Sequence, residues 1–337
     1  MLFATQHNRT TSKTLNIFCL KFMFTFNIIA AFLVGGAMIA LLSLLAERVP
    51  SALGGIIISF PSTVAVSFVF LSITLGTDKL IQFIARIYYS MLGSIFFAFV
   101  FAFTSLLLSS AFSNKKLLII ATLLVSSSVW IIFPLYSANL TQTIWNSAVC
   151  LALGIILFQT GFIVYANRFP ERPAIKKTSL FDLPLRGLFS GSIVALSIIL
   201  AHNLGPFWGI VVGATYPAAL ASQLSIFLYR YPVECLPGFI RTVPVGAVSV
   251  ATYVTVSAVT YPALGILMGT ILAFTASIIM SFLISKFVSH FIFVKSNNCR
   301  VRTCKPKNHY VLSRLTIFPC FMSSLPIIFF RHITNMY

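Results

Sequence analysis

The chain predicts an all-α fold: a polytopic membrane helix bundle of nine or ten transmembrane helices, built as two related repeats in inverted orientation. Three observations predict it. The composition is that of a membrane protein. The apolar residues fall in runs long enough to cross a bilayer. One proline-centred stretch recurs at a nearly fixed distance along the chain.

Hydrophobic residues make up 58% of the 337 positions and charged residues only 8%, with a mean hydropathy of +0.99. A soluble domain carries about 25% charged residues, so the chain belongs to the membrane class. Lys and Arg number 23 against 5 Asp and Glu, a net charge of +18. In a soluble protein that excess would suggest nucleic acid. Here the basic residues lie in tails and connections between apolar runs, and no aromatic-and-basic stripe forms a nucleic-acid face. The partners implied are the lipid bilayer, and anionic lipid headgroups at the basic connection and tail. Cys19, Cys150, Cys235, Cys299, Cys304 and Cys320 have no framework spacing and read as free thiols.

Residues 1–26 form a polar, basic N-terminal segment without acids, carrying Arg9, Lys13 and Lys21. It reads as an over-long start before Met23 or as a transit-type peptide. A cleaved signal peptide fits less well, because the apolar run continues to Leu45. Residues 27–166 hold the first membrane repeat and a linking helix, with spans at 27–46, 51–75, 84–109, 117–136 and 145–166. A basic connection, 167–186, separates the halves. Residues 187–290 hold the second repeat, with spans at 187–203, 206–229, 240–260 and 262–288. Residues 291–337 are a basic tail with a candidate tenth helix near 311–330, interrupted by Arg314, Pro319 and Pro326.

The repeat rests on two stretches, PSALGGIIISFPSTVAVS from Pro50 and PFWGIVVGATYPAALASQ from Pro206. In each, two prolines stand eleven apart and an aromatic, Phe60 or Tyr216, precedes the second. The helices leading in match at an offset of 155, as Gly36 with Gly191 and Ala46 with Ala201. Inserted Gly205 moves the offset to 156 at the prolines, and Arg86 with Arg241 returns to 155. The copies begin five spans apart, and an odd number of crossings inverts the second relative to the first. Connection 167–186 carries Arg168, Arg172, Lys176, Lys177 and Arg186, which places it and the tail in the cytoplasm by the positive-inside rule. That orientation starts residue 27 outside, beside Arg9, Lys13 and Lys21, a conflict removed if Met23 is the start. The expected location is multi-pass in the cell membrane (inner or plasma), with an organellar membrane as the alternative.

Proline inside a span breaks the backbone ladder, so Pro61 and Pro217 should kink the second and seventh spans. Ser59, Thr63 and Ser67 lie at intervals of four around Pro61, on one helix face. Gly213 shares a face in the second copy, with Ser222 beside it. These seven residues are the expected substrate pathway, and close packing of small residues is the structural alternative. Arg86 and Arg241 open the third and eighth spans and are candidates to grip an anion or headgroup, snorkelling being the alternative. Asp78 and Glu234 precede them closely enough to form salt bridges across each loop.

Enzyme signatures are missing: no HExxH, GxSxG or P-loop, and no second acid within a span to make a catalytic pair. No catalytic residue, cofactor or metal site is expected. Cys299, Cys304 and His309 have a loose spacing that makes a poor zinc set.

The run Gly55 to Thr63, GIIISFPST, resembles the GlpM-like family of small bacterial inner-membrane proteins, whose pattern is Gly, a short apolar run, Phe-Pro, then Ser or Thr. Gly55, Phe60, Pro61 and Ser62 match it, while the second copy departs with Val211 and Tyr216. The family is uncharacterised, so the resemblance implies a membrane location and no catalytic residue. From architecture, the leading expectation is transport or facilitated passage of a small solute between the two proline-kinked helices. The rival is a non-transporting scaffold or accessory protein.

Overall fold

The computed structural model describes residues 22–42, 44–45, 60–139, 143–166, 182–240 and 243–296. Among these the fold is all-helical, with no strand. In chain order the helices are α1 Phe22–Leu42, α2 Ser62–Leu75, α3 Thr77–Gln82, α4 Ile84–Leu108, α5 Lys115–Ala138 and α6 Ile144–Ala166. There follow α7 Asp182–Asn203, α8 Pro206–Thr215, α9 Ala218–Arg230, a short 3₁₀ turn Val233–Cys235 and α10 Leu236–Ile240.

The last helical stretch, Val243–Ser296, is two helices, because Gly265 has φ 78° and ψ 171°. That backbone region is open essentially to glycine alone. Past Gly265 the chain folds back on itself. Thr260 Oγ1 lies 3.3 Å from the Gly269 carbonyl, the Tyr261 and Thr270 hydroxyls are 2.9 Å apart, and Ser249 Oγ lies 3.3 Å from the Ser277 carbonyl. Advancing along one arm retreats along the other, so residues 243–264 (α11) and 266–296 (α12) form an antiparallel hairpin.

Among the described residues α1, α4, α5, α6 and α7 are each long and apolar enough to cross a membrane, as is the 246–284 stretch that Gly265 divides between α11 and α12. Helices α8 and α9, bent by 43° at their break, pass the same test as a pair. The chain is therefore an integral membrane helix bundle. The outward faces agree: Leu124, Ile132, Trp145, Ile156, Leu267 and Leu283 stand exposed, as suits a lipid solvent. The spans expected at 84–109, 117–136, 145–166, 187–203 and 206–229 correspond to α4 through α9. Residues 1–21 of the N-terminal segment, residues 51–59, most of the 167–186 connection and the candidate tenth helix lie outside the described residues, while residues 22–26 of that segment are already helical in α1.

Helix α4 is the axis of the bundle. Its sequence is apolar all round, which suits a helix with neighbours on every side. It packs against α5, α6, α8 and α11–α12, with Ile87, Ile95, Phe97, Ala98 and Phe101 wholly buried. Small residues let the neighbours close in. A Cβ on Gly93 would stand 3.1 Å from atoms of both Phe133 and Trp130, and one on Gly154 would collide with Leu92.

Helices α1 and α7 meet through glycine. A Cβ on Gly36 would lie 2.9 Å from the Gly187 carbonyl oxygen, and the reverse substitution meets the Gly36 oxygen at the same distance. One turn away Gly191 faces the carbonyl of Phe32. Four residues back on α1 thus correspond to four forward on α7, so the pair is antiparallel. Beyond α7, Gly205 at φ 99° turns the chain sharply into α8. The return is close enough that a Cβ on Gly209 would lie 2.5 Å from the Ser197 carbonyl oxygen.

Candidate functional site

The two prolines build the same turn. Pro61 has φ −76° and ψ 45°, with the Ser62 amide donating to the Phe60 carbonyl at 2.8 Å. Pro217 has φ −81° and ψ 59°, with the Ala218 amide donating to the Tyr216 carbonyl at 2.8 Å. Each is an inverse γ-turn. Each proline carbonyl then accepts the first amide of a new helix, from Ala65 or Ala221, at 2.8 Å. The prolines therefore open helices α2 and α9, and at Pro217, where α8 ends at Thr215, the helix stops and starts again, a sharper event than a bend within a continuous helix.

At Pro217 the released backbone groups have partners from neighbouring helices. The Thr215 carbonyl, at the end of α8, accepts from Ser94 Oγ of α4 and from Trp130 Nε1 of α5, the latter at 3.2 Å. The Tyr216 ring stands edge-on to Trp130 at 5.0 Å and to Phe97 at 6.1 Å, and its hydroxyl lies 3.1 Å from Ser127 Oγ. The Thr215 carbonyl, at the last residue of α8, is the one these side chains meet. Beside Pro61, Phe60 meets Phe274 of α12, edge-on at 6.0 Å.

Helix α2 packs against α7 and α8. At this crossing a Cβ on Gly213 would come within 2.9 Å of the Ser67 Cβ and 3.1 Å of the Ser197 Cβ. Two of the expected pathway residues, Ser67 and Gly213, are thus brought into contact across the second and seventh spans. Ser67 is 1% exposed, and its Oγ has no hydrogen-bond partner. A buried hydroxyl without a partner costs about 1–3 kcal/mol, so it is a functional or strained position worth testing. Ser197 differs, since its Oγ donates to the Val194 carbonyl at 2.7 Å.

The remaining expected residues divide. Pro61 is buried at the head of α2, Thr63 is half-buried one turn before Ser67, and Pro217 is half-buried in the break. Ser222 is buried but donates to the Ala219 carbonyl of its own helix at 2.8 Å, a local structural role. Ser59 and Arg241 lie outside the described residues. Arg86 is half-buried, its guanidinium 5.4 Å from the Phe83 ring centroid and 5.5 Å from that of Phe207. The expected salt bridge to Asp78 does not form: Asp78 is exposed, and the Arg86 side chain turns to the two rings. Glu234 has its expected partner, Arg241, outside the described residues, as are Cys299, Cys304 and His309.

Ser94, Ser127, Trp130 and Ser197 went unnoticed in the sequence. One signal was available: Ser94 matches Ser249 at the offset of 155, and both hydroxyls reach a carbonyl of another helix. No family model, curated protein or solved structure matches the chain.

Proposed function

We propose that this integral membrane protein passes a small solute by facilitation, along the crossing of α2, α7 and α8, between two inverted repeats. The observation that carries the reading is the Ser67 hydroxyl, without a partner among the described residues, facing the α8 backbone at Gly213, beside two helices, α2 and α9, that open on the same γ-turn. Broken spans that meet near the middle of a bundle are a recurrent setting for solute and ion sites. The antiparallel α1–α7 contact supports inversion, because those helices open the two copies. The crossing residues are hydroxyl and backbone groups, which suits a neutral or hydrogen-bonding solute better than a carboxylate proton relay.

The rival reading, a non-transporting scaffold, has its own support. The Thr215 carbonyl that a wet cavity would leave open is held by Ser94 and Trp130.

A substrate-free experiment separates them. In a background with the native cysteines replaced, Ser67→Cys is treated in membranes with a small, charged methanethiosulfonate reagent applied from each side. Passage expects modification from at least one aqueous side, and slower modification when Gly213→Val fills the crossing. A thiol unreactive from both sides, in protein that is folded and inserted, assigns the crossing to packing and refutes the pathway.

A further inference from the structure

We propose that Arg86 is the centre of an oxyanion site that takes a phosphate group, at the end of the bundle where α8 begins. Its guanidinium lies against two aromatic rings, Phe83 before α4 and Phe207 in the first turn of α8, whose centroids are 5.9 Å apart. Aromatic faces attract a guanidinium through its flat surface, which leaves the N–H groups around its edge for an acceptor in the plane. Among the described residues no carboxylate takes that place, and Asp78, eight positions earlier, is exposed.

The second set of donors comes from α8 itself. Its N-cap, Gly205, supplies no side-chain hydrogen bond, and Pro206 occupies the first turn. The amides of Phe207 and Trp208, ahead of the first bond within this ten-residue helix, therefore have no side-chain acceptor at its cap. They belong to the same turn as the ring that Arg86 covers. A guanidinium edge and a helix N-terminus are both suited to oxyanions, and a phosphate can take a bidentate pair from one while facing the other.

The position is interfacial. His202, Asn203 and Leu204 are exposed at the end of α7, and Asp78 and Lys79 are exposed on the short helix α3, which packs on α8. A snorkelling arginine extends freely to the headgroup region. Arg86 instead lies against one side of a tilted pair of rings, its own neighbour Phe83 and Phe207 of another span, which keeps its head beside the start of α8 and suits a specific ligand. Two sources offer this chemistry, the phosphodiester of an anionic lipid and a soluble phosphate.

The full-length protein in a neutral detergent tests this by thermal unfolding. Phosphatidylglycerol, phosphatidylcholine of the same chain length and inorganic phosphate at matched ionic strength are titrated separately. The expected result is a rise in melting temperature with phosphatidylglycerol or with inorganic phosphate, at an apparent affinity about tenfold weaker in Arg86→Lys, which keeps the charge and loses the fork. Phe207→Leu should weaken it as well, while Lys116→Gln at the exposed start of α5 leaves it unchanged. A rise with the lipid alone identifies a headgroup site, and a rise with inorganic phosphate alone identifies a soluble anion. If Arg86→Lys and Phe207→Leu both respond like the parent protein, or if neither phosphate source shifts the parent beyond phosphatidylcholine, the site does not exist. Two folded variants report here, so failure of either to accumulate leaves the other to decide.

Discussion

Gly213 and Ser67 stand so close that a Cβ added to the glycine would lie 2.9 Å from the Ser67 Cβ. Backbone and side chain from two different spans share that space, with Ser197 on a third side at 3.1 Å. Gly213→Ala should therefore destabilise the protein by about 1–3 kcal/mol through overpacking. Ser67→Gly in the same chain should restore part of the loss, since it removes the atom that is struck. Unfolding in detergent of the two single variants and the double variant measures the coupling, and strict additivity would mean the residues do not touch.

The break at Pro217 offers a second test. Ser94→Ala and Trp130→Phe each remove one donor to the Thr215 carbonyl, and each should cost about 1 kcal/mol. Together they should cost more than their sum, because the carbonyl is then buried without a partner. If the double variant is no worse than the sum, water reaches this carbonyl. That outcome would favour the wet cavity that passage requires over the scaffold reading.

Topology can be checked from two ends of the bundle. Lys115 Nζ donates to the Tyr229 carbonyl at 3.0 Å, which brings the start of α5 and the end of α9 to one end. Asn203 ends α7, on the far side of the α8–α9 pair. Cysteines at Lys116 and Asn203, both exposed, should accordingly be labelled from opposite sides of the membrane. The positive-inside rule puts position 116 on the cytoplasmic side. Labelling of both from the same side would overturn the span order of α5 through α9.

Gly265 separates conformational strain from steric strain. A Cβ there would meet nothing within 4 Å, yet φ is 78°. Gly265→Ala should still lose about 1–3 kcal/mol, because the backbone region and not a neighbour excludes the side chain. Melting of this variant beside Gly213→Ala tests the contrast: only the Gly213 loss should respond to trimming a neighbour.

The spans were legible in the sequence because bilayer thickness sets their length, and α4 through α9 follow the apolar runs closely. Pro217 was legible as a break because proline lacks the amide a helix needs. The form of the break was not. A missing N–H says that the ladder stops, but the γ-turn at Tyr216, Pro217 and Ala218 depends on what receives the Thr215 carbonyl, and Ser94 and Trp130 are far away in sequence. Arg86 was singled out as a rare charge in an apolar chain. Its nearest acid in sequence, Asp78, was a poor guide, since Phe207 reaches it from another span. Ser222 shows the opposite failure: a hydroxyl near the proline looked available, but its own helix takes its hydrogen.

The fate of Ser222 is shared. Ser105, Thr122, Ser126, Ser197 and Thr215 are buried, and each hydroxyl donates to a carbonyl three or four residues back in its own helix. A hydroxyl engaged in this way has given up its one hydrogen and shows its surroundings only lone pairs. Wherever such groups meet a neighbour, they are basic in the Lewis sense: they can accept but have nothing to donate, whereas the unpartnered Ser67 hydroxyl keeps its hydrogen. An ammonium or amide group entering there would find ready acceptors, whereas a carboxylate or phosphate would meet repulsion. On the two proposed readings, the interior would favour hydrogen-bond donors and the Arg86 end an oxyanion.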